Sequence, residues 1–148
     1  DYTDRFIAGI MAHIKEMTAF LNPCENSYKR LGEKKAPKYI TWSRENRSQL
    51  IRIPAATGEY KRIELRSPDP TVNPYLAFAL LIYAGVDGIL TKKKLRNSTD
   101  INLYTADKSV TKNLDVLPQT LKEAVEAAKN SEFISKVLPK ELVKLLKA

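Results

Sequence analysis

The chain has 148 residues, about the length of one ordinary domain, and its 43% hydrophobic and 28% charged residues exclude collagen-like and mostly disordered proteins. Its formal net charge is +8, and residues 29–66 hold eleven Lys or Arg against four Glu. The charge therefore predicts an anion-binding surface in the middle of the chain, whose ligand could be a polynucleotide, a nucleotide or a small acid.

Sequence patterns of membrane insertion and export are missing. The longest apolar stretch, residues 75–86, is shorter than the roughly 18 residues that indicate a membrane span. The first residues, DYTDRF, do not have the basic-then-apolar order of a signal peptide. Cys24 is the only cysteine, so no internal disulfide can form, which fits a reducing compartment. We therefore expect a cytoplasmic protein with no membrane partner.

The first predicted element is an amphipathic helix from Asp4 to Phe20 that ends near Asn22 and Pro23. Its apolar residues recur at spacings of three and four positions: Phe6, Ile7, Ile10, Met11, Ile14, Met17 and Leu21. His13 lies one position from this stripe. Because no second His or Cys stands three or four positions away, His13 does not predict a metal site.

Three short segments after this helix are predicted to be strands: residues 39–43, 50–54 and 61–66. The sequence AATGEY around Gly58 has turn chemistry, so we expect the second and third strands to pair as a hairpin. Side chains alternate along a strand, and the third segment divides into two faces. Its residues are Ile63 and Leu65 on an apolar face, and Arg62, Glu64 and Arg66 on an ionic face.

Asn73 followed by Pro74 is a strong helix start, and the predicted helix extends to about Ile89. Apolar residues surround it, so we expect a helix that is buried inside the domain. Shorter amphipathic helices are predicted after Pro118 and Pro139. Together these elements predict an α+β fold, in which a short antiparallel sheet is backed by helices.

The residues most able to carry chemistry are charged side chains on and beside the strands: Arg47, Arg52, Arg62, Glu64 and Arg66. On a strand that rises about 3.3 Å per residue, Arg62 and Arg66 each stand roughly 6 to 7 Å from Glu64. Such a group can be a surface ladder of salt bridges. It can also bind ligands, because a carboxylate is a hard oxygen ligand for Mg²⁺ and guanidinium groups bind phosphate or carboxylate oxygens in pairs. The residues alone leave both interpretations open.

Three stretches resemble a known family: NPCENSYKRL (22–31), NRSQLIRIP (46–54) and RIELRSPDPTVNPYLAFALLIYAGVD (62–87). In order and over most of the chain, they are similar to the C-terminal part of the catalytic domain of type I glutamine synthetase. That family joins glutamate to ammonia with ATP, through a γ-glutamyl phosphate intermediate. The resemblance implies that residues 1–148 are a partial catalytic domain, without the N-terminal small domain and the first half of the catalytic domain.

The resemblance also implies roles for the charged group. Glu64 would be a ligand of the Mg²⁺ or Mn²⁺ ion beside the transferred phosphate. Arg52 and Arg62 would contact the phosphates of ATP. Arg47 would bind the nucleotide as well, and would act as a catalytic residue by stabilising the phosphoryl group in transfer.

On the substrate side, the resemblance implies that Arg30 and Arg66 bind glutamate and that Arg66 is also catalytic. Tyr104, in the sequence NLY, matches a tyrosine that some bacterial members adenylylate, and is a candidate modification site. The flap after Arg30 departs from the family pattern, since RLGEKKAP is one residue shorter than RLxPGxEAP. It places Lys35 where the family has the glutamate that helps to deprotonate ammonium. Ser67 stands where the family usually has an aromatic residue, which predicts a change of packing only.

The leading hypothesis is a fragment of an ATP-dependent glutamate–ammonia ligase of nitrogen metabolism, inactive by itself and part of a homo-dodecamer when whole. The altered flap leaves two alternatives open: a γ-glutamyl ligase that uses another amine, and a catalytically silent homologue. A nucleic-acid-binding module is disfavoured, because the aromatic residues near the basic segment form no repeated platform for stacking bases. We therefore expect no nucleic-acid partner.

Overall fold

The computed structural model describes residues 1–33 and 35–147. Its strands are β1 (Trp42–Arg44), β2 (Ile51–Ile53) and β3 (Glu64–Leu65), with a 3-10 turn at Gly58–Tyr60. Its helices are α1 (Tyr2–Leu21), α2 (Glu25–Tyr28), α3 (Pro74–Leu90), α4 (Lys108–Thr111), α5 (Leu121–Lys129), α6 (Glu132–Val137) and α7 (Lys140–Lys144). Among the described residues, none of these helices has the length and apolar character needed to cross a membrane.

The chain forms two compact units, each assembled from separate stretches of sequence. The helical unit comprises residues 1–28, 68–96 and 118–148. The sheet unit comprises residues 29–67 and 97–117. All the candidate site residues from the sequence belong to the sheet unit, so the geometry of the site can be described within that unit.

Helix α1 forms where the apolar spacing predicts it. Asp1 caps its start, because the Asp1 carboxylate accepts a hydrogen bond of 3.1 Å from the backbone N–H of Thr3. The predicted stripe is buried apart from the partly exposed Phe6, and Ile7, Ile14 and Met17 are fully enclosed. These residues form the core of the helical unit.

Helix α3 also starts as predicted, with the side chain of Asn73 accepting a 3.0 Å hydrogen bond from the backbone N–H of Tyr75. Small residues let it approach α1 very closely. A Cβ atom placed on Gly88 would lie 2.1 Å from the backbone oxygen of Arg5, and one on Gly9 would lie 2.1 Å from the backbone oxygen of Ala84. Glycine is therefore required where these two helices cross.

The expectation that α3 is buried on all sides is wrong. Its small residues face α1, but six large apolar side chains on the helix are exposed: Tyr75, Phe78, Ile82, Tyr83, Val86 and Leu90. Apolar residues do surround the helix as the sequence shows. However, within the described part of the helical unit only α1 packs extensively on α3.

The C-terminal helices agree with the predicted pattern. Helix α5 has nine residues. Thr120 caps α5 by accepting a hydrogen bond of 3.1 Å from the backbone N–H of Glu123, and Ser131 caps α6 through the backbone N–H of Ile134. The four-residue helices α2 and α4 were not predicted, because one turn is too short to show a helical period.

The α+β class is confirmed, and β2 and β3 pair antiparallel as the predicted hairpin. The sheet is mixed, however, because β1 runs parallel to β2, with Trp42 opposite Ile51. The expectation of a wholly antiparallel sheet is wrong in this respect. Alternation of side chains shows which residues share a face but carries no information on strand direction. The connection between β1 and β2, residues 45–50, begins at Glu45 with a φ of 71°.

Candidate active site

The sheet unit holds Glu64 between two guanidinium groups. Arg52 donates from Nε to Oε2 at 2.9 Å, and from Nη2 to Oε2 at 2.7 Å and to Oε1 at 2.9 Å. Arg62 donates from Nε to Oε1 at 3.1 Å. The side chains of Arg52, Glu64 and Arg62 are 14%, 27% and 52% exposed. We call these three residues the Glu64 clamp.

Strand register explains which arginines form the clamp. Arg52 of β2 lies directly opposite Glu64 of β3 in the antiparallel ladder. Side chains in that relation have Cβ atoms about 4.5–5.5 Å apart, closer than residues two apart along one strand. The sequence spacing predicted Arg62 and Arg66 as the flanking residues. Arg62 is one of them, but cross-strand pairing makes Arg52 the other, and Arg66 bonds elsewhere.

The clamp keeps Glu64 ionised. Partial burial by itself would raise the pKa of the carboxyl group. The hydrogen bonds and positive charge of Arg52, and then of Arg62, outweigh this effect and lower the pKa below its ordinary value of 4.5. Glu64 is therefore a carboxylate at neutral pH, with an anion's capacity to bind cations.

Arg66 and Arg30 each donate a hydrogen bond to a backbone oxygen. Arg66 donates from Nη2 to the backbone oxygen of Lys35 at 3.1 Å, and Arg30 donates from Nη2 to the backbone oxygen of Ser67. Nη1 of Arg66 is buried and has no hydrogen-bond acceptor among the described residues. A buried cationic donor without an acceptor is costly, so this nitrogen is suited to an anionic ligand.

Tyr104 lies beside these arginines. Its hydroxyl donates to the backbone oxygen of Arg47 at 3.4 Å, while the Arg47 residue itself is exposed. Burial raises the pKa of the Tyr104 hydroxyl, and the positive charge of Arg66 opposes that rise. Tyr104 is 40% exposed, so its ring is accessible at the edge of this arginine group.

The segment that carries Tyr104 is held by polar residues to which the sequence assigned no role. The hydroxyl of Ser48 accepts a 2.9 Å hydrogen bond from the backbone N–H of Leu103, and it donates to the side-chain oxygen of Asn46 at 2.8 Å. The side-chain nitrogen of Gln49 donates to the backbone oxygen of Ile101 at 2.9 Å. Ser48 and Gln49 are buried. Adjacent polar residues just before an apolar strand were the available signal for such a buried anchor.

A second polar cluster lies in the helical unit around His13. Its Nε2 is 2.9 Å from a carboxylate oxygen of Asp87, its Nδ1 is 3.2 Å from Glu16, and its ring stacks on Phe133 with centroids 4.0 Å apart. The Asp87 carboxylate is also 3.4 Å from the ammonium of Lys93. Hydrogen bonding to His13, together with Lys93, lowers the pKa of Asp87. The cluster joins α1 to α3 and α6.

Comparison with known proteins assigns the chain to a family. The model of the family described as "Glutamine synthetase, catalytic domain" matches residues 1–147. The chain belongs to the glutamine synthetase catalytic-domain family. It is 48% identical over 136 residues to the glutamine synthetase of Methanosarcina mazei, and 48% identical over 132 residues to that of Thermotoga maritima. These matches cover 90% and 87% of this chain.

Solved structures agree with this assignment. A GmaS/ADP complex matches with a TM-score of 0.83 at 32% identity, and an apo GmaS structure matches with 0.84 at 35% identity. Both comparisons cover 98% of this chain, but only 35% and 33% of the GmaS chains. The chain likewise spans about 30% of the two glutamine synthetases named above. It therefore represents one third of the length of its relatives.

The glutamine synthetase resemblance assigned a divalent metal to Glu64. The described residues do not supply a complete set of metal ligands around it. Among the described residues, no group of three or more His, Cys, Asp or Glu side chains could hold a metal ion. In the structure both oxygens of Glu64 accept hydrogen bonds from arginine. Within the described residues, Glu64 is therefore not part of a group of three or more such ligands, and a complete metal site would need further ligands.

Proposed function

We propose that the chain is the C-terminal part of the catalytic domain of an ATP-dependent glutamate–amine ligase, with ammonia as the preferred amine. The Glu64 clamp is the observation that carries this proposal. It places one ionised carboxylate against two guanidinium groups, in a chain whose family is that of glutamine synthetase. The reaction would proceed through γ-glutamyl phosphate. The side-chain carboxylate of glutamate would attack the terminal phosphorus of ATP with release of ADP, and the amine would then attack the acyl carbon with release of phosphate.

The clamp suits a polyphosphate ligand because its ion pairs can be exchanged. A phosphate oxygen can take the place of the Glu64 carboxylate on Arg52 and Arg62, since guanidinium binds both groups with two parallel hydrogen bonds. The structural match to a protein solved as an ADP complex supports a nucleotide as the class of ligand. We assign Arg52 and Arg62 to the phosphates of the nucleotide, and the exposed Arg47 to the phosphoryl group in transfer, where positive charge stabilises the transition state.

Arg30 and Arg66 are assigned to glutamate, and Arg66 also to catalysis. The buried Nη1 of Arg66 supports this assignment, because this charged donor has no acceptor among the residues that the structure describes. The amino-acid carboxylate could satisfy that donor directly. Held there by two arginines, the substrate would have its side-chain carboxylate free to reach ATP.

For the divalent ion, Mg²⁺ or Mn²⁺, we propose that Glu64 provides one ligand in the whole ligase. A hard cation of this kind neutralises phosphate charge when bound. The chain lacks a full ligand set among its described residues, so we expect the isolated 148-residue protein to be inactive. For the whole ligase we propose a cytoplasmic homo-dodecamer.

A chimera tests the proposed reaction. The segment of the M. mazei glutamine synthetase that matches this chain is replaced by residues 1–148, and ATP-dependent glutamine formation is measured. We expect turnover in the chimera, and a loss of at least about 100-fold in kcat for Glu64→Gln, as removal of a charge-stabilising group typically gives. Glu59→Gln is the matched control, since Glu59 is an exposed glutamate of the 3-10 turn in the same unit.

Two results would contradict the proposal. A folded chimera without any ligase activity would favour a catalytically silent homologue. Full activity of the Glu64→Gln chimera would remove Glu64 from the catalytic machinery. Thermal unfolding of each variant separates these outcomes from loss of the fold.

A second candidate, ligation of another amine, is favoured by Lys35. Its backbone oxygen is bonded to Arg66, at the place where the resemblance puts the acidic flap residue. A protonated lysine cannot accept a proton from ammonium. Assaying the chimera with ammonia, methylamine and ethanolamine, with and without Lys35→Glu, distinguishes the two candidates. Exclusive use of an organic amine would overturn the preference for ammonia.

A further inference from the structure

The loop that carries Arg47 is held by hydrogen bonds on both sides of that residue. Arg47 lies in the connection between β1 and β2, and its neighbours in the sequence are Asn46 and Ser48. Arg47 is exposed, whereas Asn46 is half-buried and Ser48 is buried. An exposed arginine side chain has many rotamers. The place from which its guanidinium group can act is therefore set by its backbone.

The side chain of Asn46 closes the loop around Arg47. Its Oδ1 accepts a hydrogen bond of 2.9 Å from the backbone N–H of Ser48 and one of 2.8 Å from the Ser48 hydroxyl. An Asn side chain that bonds to the backbone two residues on forms an Asx turn, which restricts the residue between them. The Asn46 amide therefore fixes the direction in which the Arg47 side chain leaves the loop.

The Ser48 hydroxyl ties this turn to a distant segment. A hydroxyl donates one hydrogen bond, and the nearest acceptor for that of Ser48 is the Asn46 oxygen. The Ser48 oxygen in turn accepts a hydrogen bond of 2.9 Å from the backbone N–H of Leu103. The next residue, Tyr104, donates from its hydroxyl to the backbone oxygen of Arg47 at 3.4 Å. All of these residues belong to the sheet unit.

The backbone that leads into the loop has an uncommon conformation. Glu45 has a φ of 71°, which side chains other than Gly, Asn and Asp seldom adopt. Such a conformation persists only where surrounding contacts hold it, and it occurs often at functional sites. Asn46 follows directly and donates from its backbone N–H to the backbone oxygen of Arg44 at 2.9 Å. Asn46 is thus bonded on both sides of the turn through its backbone and its side chain.

We propose that Asn46 is a positioning residue for Arg47. Its side-chain oxygen, together with the Ser48 hydroxyl, holds the Arg47 backbone so that the guanidinium group reaches the phosphoryl group in transfer. This role rests on the proposed ligase function, which assigned Arg47 to that group. A displacement of about 1 Å at a reacting centre costs about 100-fold in rate, so a side chain that acts only through Arg47 controls kcat.

Substitution of Asn46 in the chimera tests this role. Asn46→Leu removes the acceptor at a similar side-chain volume. We expect kcat to fall at least about tenfold, with the KM values for ATP and glutamate changed less than about threefold, because Arg47 acts on charge in the transition state. Asn46→Asp keeps an acceptor oxygen and should retain most of the kcat.

Asn73→Leu is the matched control. The Oδ1 of Asn73 likewise accepts a hydrogen bond from the backbone N–H two residues on, that of Tyr75 at 3.0 Å, but it lies in the helical unit. Its loss should leave kcat unchanged. Thermal unfolding verifies that each variant is folded.

A double-mutant cycle shows whether Asn46 acts through Arg47. In the Arg47→Ala chimera, Asn46→Leu should lower the remaining kcat less than about twofold, because the group that Asn46 positions is already absent. A general effect on the fold would lower kcat by the same factor in both backgrounds. Such additive losses would overturn the inference.

Relaxation measured by NMR in the isolated chain does not depend on turnover. The backbone N–H of Arg47 should have an order parameter of about 0.85 in the wild type and below about 0.6 in Asn46→Leu. Asn73→Leu should leave this value unchanged.

The two measurements separate this inference from the proposed function. A folded chimera without turnover would contradict the proposed function, and the order parameter would still decide whether Asn46 holds Arg47. Three results would overturn the inference: a kcat that Asn46→Leu leaves unchanged, an equal loss of kcat in Asn73→Leu, and an Arg47 backbone as rigid in Asn46→Leu as in the wild type.

Discussion

Replacing Glu64 with Gln should destabilise the isolated chain at neutral pH, because the substitution leaves Arg52 without a counter-charge. Arg52 makes three of the hydrogen bonds to the carboxylate and is only 14% exposed. Hydrogen bonds to charged groups contribute about 1.5–3 kcal/mol, whereas exposed ion pairs contribute about 0–1 kcal/mol. The clamp lies between these cases, so we expect a loss of about 1.5 kcal/mol in the free energy of unfolding.

Urea denaturation followed by circular dichroism measures this difference. Arg62→Ala is the comparison variant, since Arg62 is 52% exposed and should lose about 1 kcal/mol or less. The pKa of Glu64 is lowered in the folded state, so its stabilisation is present above the ordinary value of 4.5 and is lost as the pH falls through the folded pKa. The gap between wild type and Glu64→Gln should therefore close at low pH. Equal stability of the two proteins at pH 7, or a gap that persists at pH 2, would refute this account of the clamp.

Three further predictions concern the framework around the site. Gly88→Ala should lower the free energy of unfolding by about 1–3 kcal/mol, because the new Cβ meets the backbone of Arg5. An unchanged free energy of unfolding in urea would show that α1 and α3 can move apart to admit the Cβ. Asp87→Asn should destabilise the chain at pH 6–7, and the difference should be lost as the pH falls through the folded pKa of Asp87, which hydrogen bonding to His13 holds below the ordinary 3.8; a pH-independent difference would contradict this. Ser48→Ala should speed hydrogen exchange in residues 101–104, at a cost of about 1–2 kcal/mol; unaltered exchange there would exclude Ser48 as the anchor.

Much of the local structure could be predicted from short-range signals. The stripe of α1, the Asn73–Pro74 start of α3 and the turn before β3 each depend on neighbours in the sequence, and each was confirmed. The family could also be recognised from its motifs, and the family model confirmed it. The roles assigned to the arginines and to Glu64 stay predictions that the proposed experiments address.

Local signals could not predict which residues from distant parts of the sequence contact each other. Spacing along β3 suggested Arg66 as a neighbour of Glu64, but the ladder places Arg52 opposite it and turns Arg66 toward the flap. Spacing around α3 indicated burial on all sides, but within the described residues the extensive packing on α3 is that of α1, on the face that carries its small residues.

The sequence by itself thus determined where the two long helices form, where the positive charge is concentrated and which family the chain resembles. These properties follow from side-chain chemistry and from intervals of a few residues. Only the tertiary structure decided that Arg52 and Arg62 hold Glu64, that Tyr104 lies beside Arg66, and that one face of α3 has no cover in the described chain. Those arrangements depend on strand register and on packing between distant segments, where the energy of each contact depends on a partner that no local pattern specifies.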